Sequence, residues 1–287
     1  MPAAEVDVGV QLVRDLVTDQ FSFLADRPVS LLASGWDNFS FRLGSDLVAR
    51  LPRRALSATL VEHEAEWLPR LAPALPLPVP APRHLGQPGR GYPWSWAIAP
   101  WIVGEPVSVS SLDADAAADD LGGFLRALHR PAPDDAPSNR YRGIPLRERR
   151  DSTNRRIMDL ADRIDSERLL DHWDAALAVP AYSGPSLWLH GDLHPLNLLA
   201  EGGRLTGVID FGDITSGDPA TDLAIAWMLF DRPARSRFRS AYERADDEMW
   251  ERARGWAISL ATSYLARSAD NPVMGDIGTS TLHRLTT

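Results

Sequence analysis

An α+β fold of two unequal lobes is predicted by three observations: a strand-rich stretch near the N-terminus, a longer helical remainder, and a small β island inside that remainder. A length of 287 residues suffices to bury more than one compact core. After an opening amphipathic helix, VSLLASGWDNFSFRLGSDLVARLP gives three β-type runs, 29–34, 39–44 and 47–52. Gly-containing turns separate them, as in an antiparallel meander. Residues 57–72 return to helical period, with Leu60, Val61, Ala65, Leu68 and Leu71 on one apolar face. Glu64 falls in the middle of that face, whereas Glu62 and Glu66 point away from it. An unpartnered buried carboxylate loses several kcal/mol of solvation, so Glu64 requires a cation.

PALPLPVPAPRHLG reads as an extended, proline-rich linker, and YPWSWAIAPWIVGEP as a hydrophobic strand running into a Gly-Glu-Pro turn at 104–106. A lobe boundary is expected at that turn, giving a small N-terminal β-sheet lobe over 1–103 and a larger, mainly helical C-terminal lobe over 104–287. Helices are expected at 112–130, 145–178, 218–231, 233–243 and 246–268. The β island lies between the second and third of these and consists of SLWLH, NLLAE and RLTGVIDFG, with EGG at 201–203 as its turn.

Composition narrows the function classes. The net charge is −9 and the basic residues are scattered, which disfavours nucleic acid and suits a cationic small molecule. The absence of cysteine removes disulfides, thiolate metal sites and cysteine nucleophiles. MPAAEVDVGVQLVRDLV carries acids where a signal peptide needs positive charge, and no apolar run is long enough to span a bilayer, so a cytoplasmic protein with no membrane partner is expected. All 30 basic residues are arginine.

The chemistry concentrates in LHGDLHPLNLL, residues 189–199, and in DFGD, which Asp210 opens at the end of a hydrophobic run. Phosphoryl transfer needs a carboxylate to orient an attacking hydroxyl, and hard oxygen ligands for Mg²⁺ on nucleotide phosphates. Asp192, Asn197 and Asp210 supply one base and two ligands in that order. His190 and His194 stand four apart as in a helical zinc motif, but Gly191 replaces the glutamate that such a motif needs and Pro195 breaks a helix. Most of the ten tryptophans, including Trp67, Trp227 and Trp256, lie in apolar helical patterns and are expected in the core.

These motifs resemble the aminoglycoside phosphotransferase family, a branch of the protein-kinase-like fold that also holds macrolide phosphotransferases and choline kinases. The resemblance covers essentially the whole chain. It implies that His190-Gly191-Asp192 stands where protein kinases have His-Arg-Asp, that Asp192 is the catalytic base, and that Asn197 and Asp210 hold Mg²⁺. It further implies that 1–103 binds the nucleotide, that 104–287 carries catalysis and the acceptor, and that Asp222 in GDPATDLA braces the catalytic loop. Asp218 and Pro219 read as an N-cap and first helical residue.

Kinases place a cation on the third strand, paired with a helix glutamate, against the nucleotide phosphates. The chain has no lysine, and Arg50 occupies that strand position, opposite the demand of Glu64. Its fork can bind phosphate and carboxylate together. Arg53 or Arg54 takes the role if the strand register slips by one. Gly35 and Asn38 in SGWDN stand where the phosphate-covering loop belongs, and APWIVGEP resembles the hinge, where backbone groups of Pro100 and Ile102 would meet the purine. The implied reaction moves the γ-phosphoryl group of ATP or GTP to a hydroxyl of an antibiotic-like aminoglycoside or macrolide. A metabolic kinase acting on choline, homoserine or a sugar, and a non-catalytic nucleotide-binding protein, remain alternatives.

Overall fold

The computed structural model describes residues 3–107 and 112–287. The chain divides into two compact units: Met1–Val103 with Gly207–Gly212, and Gly104–Thr206 with Asp213–Thr287. Among the described residues no helix is long and apolar enough to cross a membrane.

The first unit is built on a five-stranded antiparallel sheet. Its strands are β1 (Val29–Ser34), β2 (Asn38–Leu43), β3 (Leu47–Pro52), β4 (His84–Gly86) and β5 (Trp96–Pro100), in the spatial order β1-β2-β3-β5-β4. One face packs on α1 (Val10–Gln20), where Val13, Leu16 and Val17 meet Phe41, Ala49, Leu51, Trp96 and Ile98 in a closed apolar core. Side chains alternate across a strand. With Ala49 and Leu51 committed to that core, Arg50 must emerge on the opposite face, toward α2 (Ala55–Leu71). Along α2 the buried positions are Ser57, Val61, Glu64, Trp67, Leu68 and Leu71, so the carboxylate does lie on the inward stripe.

β6 (Glu105–Pro106), β8 (Leu198–Glu201) and β9 (Arg204–Val208) form one small sheet. β7 (Leu187–Leu189) pairs with β10 (Thr215–Gly217) in another. Gly202 and Gly203 turn the hairpin between β8 and β9 with φ of 57° and 84°, values that favour glycine. Glu105 and Pro106, expected in a turn, are instead edge residues paired with Ala200 and Leu199.

The helices are α3 (Ala114–Leu128), α4 (Arg150–Asp159), α5 (Ser166–Ala178), α6 (Ala220–Leu223), α7 (Ile225–Leu229), α8 (Arg232–Tyr242), α9 (Asp247–Ala266) and α10 (Pro272–Thr286). α9 is central: α4, α5, α6 and α10 all pack on it, and Trp256 at its middle is fully buried. Several helices start on an Asx side chain that takes a free backbone N–H, as Asp113, Asp165, Asp231, Asp246 and Asn271 do. This capping explains two departures from the sequence pattern. The single helix expected over 145–178 is divided because Asp165 caps a new one by accepting from Arg168 N. α10, capped by Asn271, starts at Pro272 after the expected helical region has ended. The segment 218–231 is likewise two short helices, and the first opens at Ala220. Asp218 therefore lies before the cap position, although its Oδ1 still accepts from Ala220 N at 3.0 Å.

Candidate functional site

In the first unit Arg50 lies in the central strand β3, opposite Ser40 on one side and Ala97 on the other. Its Nη1 is 2.6 Å from both oxygens of Glu64, and its Nη2 donates to Asp210 Oδ1 at 3.0 Å. A planar fork can divide its donors between two carboxylates in this way, whereas an ammonium would concentrate its charge at one point. Glu64 is 2% exposed and Arg50 12%, so both charges are desolvated and each depends on the other. Burial pushes the Glu64 carboxyl up, and Arg50 is the main force holding it down. Burial also opposes the Arg50 charge, but Glu64 and Asp210 outweigh it and raise its proton affinity.

Arg53 and Arg54 are committed elsewhere. Arg53 Nη1 donates to the Gly35 carbonyl at 2.7 Å, and Arg54 Nη2 to Asp37 Oδ1 at 2.8 Å. The same Asp37 oxygen accepts from Ser57 Oγ at 2.7 Å, which ties the β1–β2 turn to the first turn of α2. Sequence reasoning passed over Asp37, and its position in SGWDN was the available signal. Asn38 is buried beside this turn, paired with Pro52, and its side-chain Oδ1 has no partner among the described residues. Gly35 is not in the left-handed region, and a Cβ there would meet only the Asn38 carbonyl at 3.4 Å, so sterics do not demand glycine. Pro100 ends β5 opposite Leu47, and Ile102 packs its side chain over Gly207.

Asp210 follows β9 with φ 64°, a left-handed backbone that aspartate tolerates better than most residues. Its side chain is 57% exposed, so one carboxylate oxygen is held by Arg50 while the group remains open to solvent.

The second unit holds the His190-Gly191-Asp192 motif. Asp222, in α6, accepts from His190 N at 2.7 Å and from Gly191 N at 2.9 Å, and so fixes both peptide groups that precede Asp192. His129 Nε2 lies 3.2 Å from the same carboxylate, and His129 Nδ1 is 2.9 Å from the Tyr242 hydroxyl. The bracing residue thus has a buried supporting chain of its own. Burial alone would raise the Asp222 carboxyl; the bonds from His129 and the backbone outweigh it and hold the group below the ordinary carboxylate range.

Gly191 is required twice over. Its φ is 86°, and a Cβ would lie 2.2 Å from the Asp213 carbonyl oxygen. His190 is fully buried and its Nδ1 accepts from Asp192 N at 3.2 Å, a structural position.

The Asp192 carboxylate carries Arg142 Nη2 on Oδ1 at 2.8 Å, with His194 Nε2 3.6 Å from Oδ2. Burial would raise this carboxyl, but the Arg142 charge and His194 reverse the effect and set it far below the usual range. Asn197 donates Nδ2 to the Asp192 carbonyl at 2.9 Å, which leaves its Oδ1 as the oxygen available to a cation. The Asn197 amide oxygen and, in the first unit, the Asp210 carboxylate are each hard oxygens of the kind Mg²⁺ takes. Among the described residues no three His, Cys, Asp or Glu side chains form a closed metal cage. Arg142 had no motif to reveal it, because fifty positions separate it from Asp192.

Comparison with known proteins identifies the family. The phosphotransferase enzyme family model matches residues 28–256. Among curated proteins, an uncharacterized protein, YcbJ, of Bacillus subtilis (strain 168) is 26% identical over 147 residues, 50% of this chain and 48% of that protein. An aminoglycoside 3'-phosphotransferase of Escherichia coli is 33% identical over 113 residues, 38% of this chain and 41% of that one. The chain thus matches less than half the length of either relative.

Two solved structures share the fold along almost the full length. The GDP complex of wild-type aminoglycoside 2'-phosphotransferase-IIIa has a TM-score of 0.73 at 19% identity, covering 97% of this chain and 99% of the other. The apoenzyme of macrolide 2'-phosphotransferase MphH from Brachybacterium faecium has a TM-score of 0.65 at 21% identity, covering 95% and 97%. With the family model spanning most of its length and an α+β architecture shared with these kinase-like structures, the chain belongs to the phosphotransferase enzyme family.

Proposed function

We propose that the protein transfers the γ-phosphoryl group of ATP or GTP to a hydroxyl of a small-molecule acceptor. The observation that carries this reading is the loop 190–192, whose two N–H groups are clamped by the buried Asp222 carboxylate just before Asp192. Phosphoryl transfer passes through a loose transition state, so the protein's task is positioning and charge neutralisation rather than covalent chemistry. In this reading Asp192 accepts the hydrogen bond of the acceptor hydroxyl and aims its oxygen. A carboxylate held so far below the usual range is a weak base, so the proton leaves late, once the new P–O bond has made the hydroxyl acidic.

The segment 1–103 is the proposed nucleotide-binding lobe and 104–287 the catalytic and acceptor lobe. Arg50, braced by Glu64, orients the phosphates; the turn bearing Gly35 and Asn38 covers them, and the backbone at Pro100 and Ile102 meets the purine. Asn197 and Asp210 would hold the Mg²⁺ that accompanies the nucleotide and offsets the phosphate charge.

The acceptors to examine first are aminoglycosides and macrolides, the classes in the names of the relatives and structural neighbours, which would make resistance to such antibiotics the physiological role. A second reading, a metabolic kinase, is favoured by the arginine seated on Asp192, since a guanidinium beside the attacking hydroxyl repels a polycation. The test is nucleoside-diphosphate release with ATP and with GTP across aminoglycosides, macrolides and hydroxylated metabolites. Asp192→Asn should lower kcat by at least about a hundredfold, with nucleotide KM within a few fold. Retained turnover in that variant would sink the assignment.

A further inference from the structure

In a chain of net charge −9, Arg142 on Asp192 has Arg149 within electrostatic reach, and Arg149 in turn has Arg156 and Arg267. Arg142 is paired with that carboxylate, but Arg149, Arg156 and Arg267 make no ion pair among the described residues. Arg156 turns its guanidinium to neutral groups, Thr153 Oγ1 and the Ser259 carbonyl, both at 3.0 Å, with Thr262 Oγ1 at 3.3 Å. Arg149 stands over the Tyr141 ring, 5.8 Å from its centroid.

Burial and then repulsion from neighbouring arginines weaken the proton affinity of Arg149 and Arg156. Arg149 is lowered by Arg142 and Arg267 as well as by burial. Arg156 is held down to about 10 by burial and by Arg149 and Arg267.

The surrounding polar atoms are also unsatisfied. Arg142 Nε, Arg149 Nε, the Tyr264 hydroxyl and His194 Nδ1 are buried and have no hydrogen-bond partner among the described residues. His194 is 8% exposed, its ring meets Tyr264 edge-on at 5.9 Å, and Tyr264 lies within electrostatic reach of both Asp192 and Arg142. Buried polar atoms left unpaired cost free energy, and like charges gathered without counter-ions cost more. Such a collection of donors has the form of a site that gains its acceptors from a ligand.

We propose that Arg149, Arg156 and Arg267, with the Tyr264 hydroxyl, form an acceptor subsite for an anionic group, a carboxylate or a phosphate ester, so that the molecule phosphorylated is a hydroxylated anion. The proposal rests on the reading of Asp192 as the group that orients the acceptor hydroxyl, and it narrows that reading to a substrate class. The same anion chemistry could come from the nucleotide's own phosphate, and the experiment separates the two sources.

The probe is inorganic sulfate, titrated calorimetrically into the full chain at constant ionic strength in sodium chloride, for wild type and the R149Q/R267Q double variant. Sulfate should bind about tenfold more weakly to the variant, the loss expected when charge-assisted contacts are removed. Equal affinities would overturn the proposal. The variant should melt no lower than wild type, because repulsion has been relieved; a clear fall in Tm would assign these arginines to structure instead.

Kinetically, a hydroxy acid should be preferred to its neutral amide and to the corresponding amine. The double variant should raise KM for that acid while leaving the nucleotide KM unchanged. A rise in the nucleotide KM alone would assign the anion to ATP or GTP and overturn the proposal. Turnover of aminoglycosides unaffected by the double variant would also overturn it, with the phosphotransferase reading intact. Arginine-dependent sulfate binding with no acceptor turned over would leave the anion site standing and remove the phosphotransferase reading.

Discussion

Replacing Arg50 by methionine tests how a kinase-like sheet operates without lysine. The side chain keeps its approximate length but loses its charge, and Glu64 is left 2% exposed with no cation at either oxygen. Removing one member of a buried ion pair costs about 3–5 kcal/mol, since the survivor keeps its desolvation penalty. The Asp210 contact adds little to this, because that carboxylate is more than half exposed and screened by water. The loss depends on pH in a defined direction. With Arg50 gone, Glu64 in the folded chain binds a proton more tightly than in the unfolded chain, where its value is about 4.5. Stability should therefore rise as pH falls, by up to about 1.4 kcal/mol per unit, between the raised folded value and the unfolded one. Urea unfolding of R50M and of R50M/E64Q from pH 5 to 8 measures both effects, and the double variant should recover most of the loss and its pH dependence. A loss under about 1 kcal/mol in R50M, flat across that range, would refute the buried-pair argument.

Gly191→Ala should abolish turnover, because the added carbon would stand 2.2 Å from the Asp213 carbonyl in a backbone of φ 86°; normal kcat in a folded G191A protein would contradict the close approach. Asp222→Asn leaves one of two backbone N–H groups unpaired and should cost about 2–3 kcal/mol at neutral pH. The folded Asp222 carboxyl is depressed, so its contribution is present above the unfolded carboxylate value near 3.8 and is lost as pH falls through the lower folded value. Melting curves of wild type and D222N should accordingly converge only in strong acid, and convergence already at pH 6 would place the stabilisation elsewhere. Trp96→Ala should cost about 3–5 kcal/mol by opening a cavity between Gly86 and the α1 face of the sheet, readable as a drop in the urea midpoint at unchanged m-value; a loss below about 1 kcal/mol would mean the site collapses around it.

Local pattern carried a good deal of the fold. Helical period put Glu64 on the inward stripe of α2, and the kinase resemblance put Arg50 at the third-strand position as the cation that Glu64 required; the structure removed the alternative register. The strand bounds of β1 and β3 were readable from their β-type runs. Where capping competes with apolar period, as at Asp165, the pattern ran two helices into one, because a side-chain oxygen that takes a backbone N–H leaves no trace in hydrophobicity. α10 was hidden because its apolar residues are interspersed with Gly275 and Gly278, and the latter is needed for close approach to α9.

By itself, then, the sequence determined the strands-then-helices division of the chain, the ordered motif from His190 to Asp222, and the demand of a buried carboxylate for a cation. These depend on neighbours along the chain or on one face of one element. Tertiary structure alone decided that Arg50 also reaches Asp210 across 160 positions, that His129 and Tyr242 support Asp222, and that Arg142 is seated on Asp192. It also brought Arg149 within electrostatic reach of Arg142, Arg156 and Arg267 in an acidic protein. Charges add along a chain without regard to place, whereas the field at a reacting atom depends on distance and burial, and only the packed fold sets those.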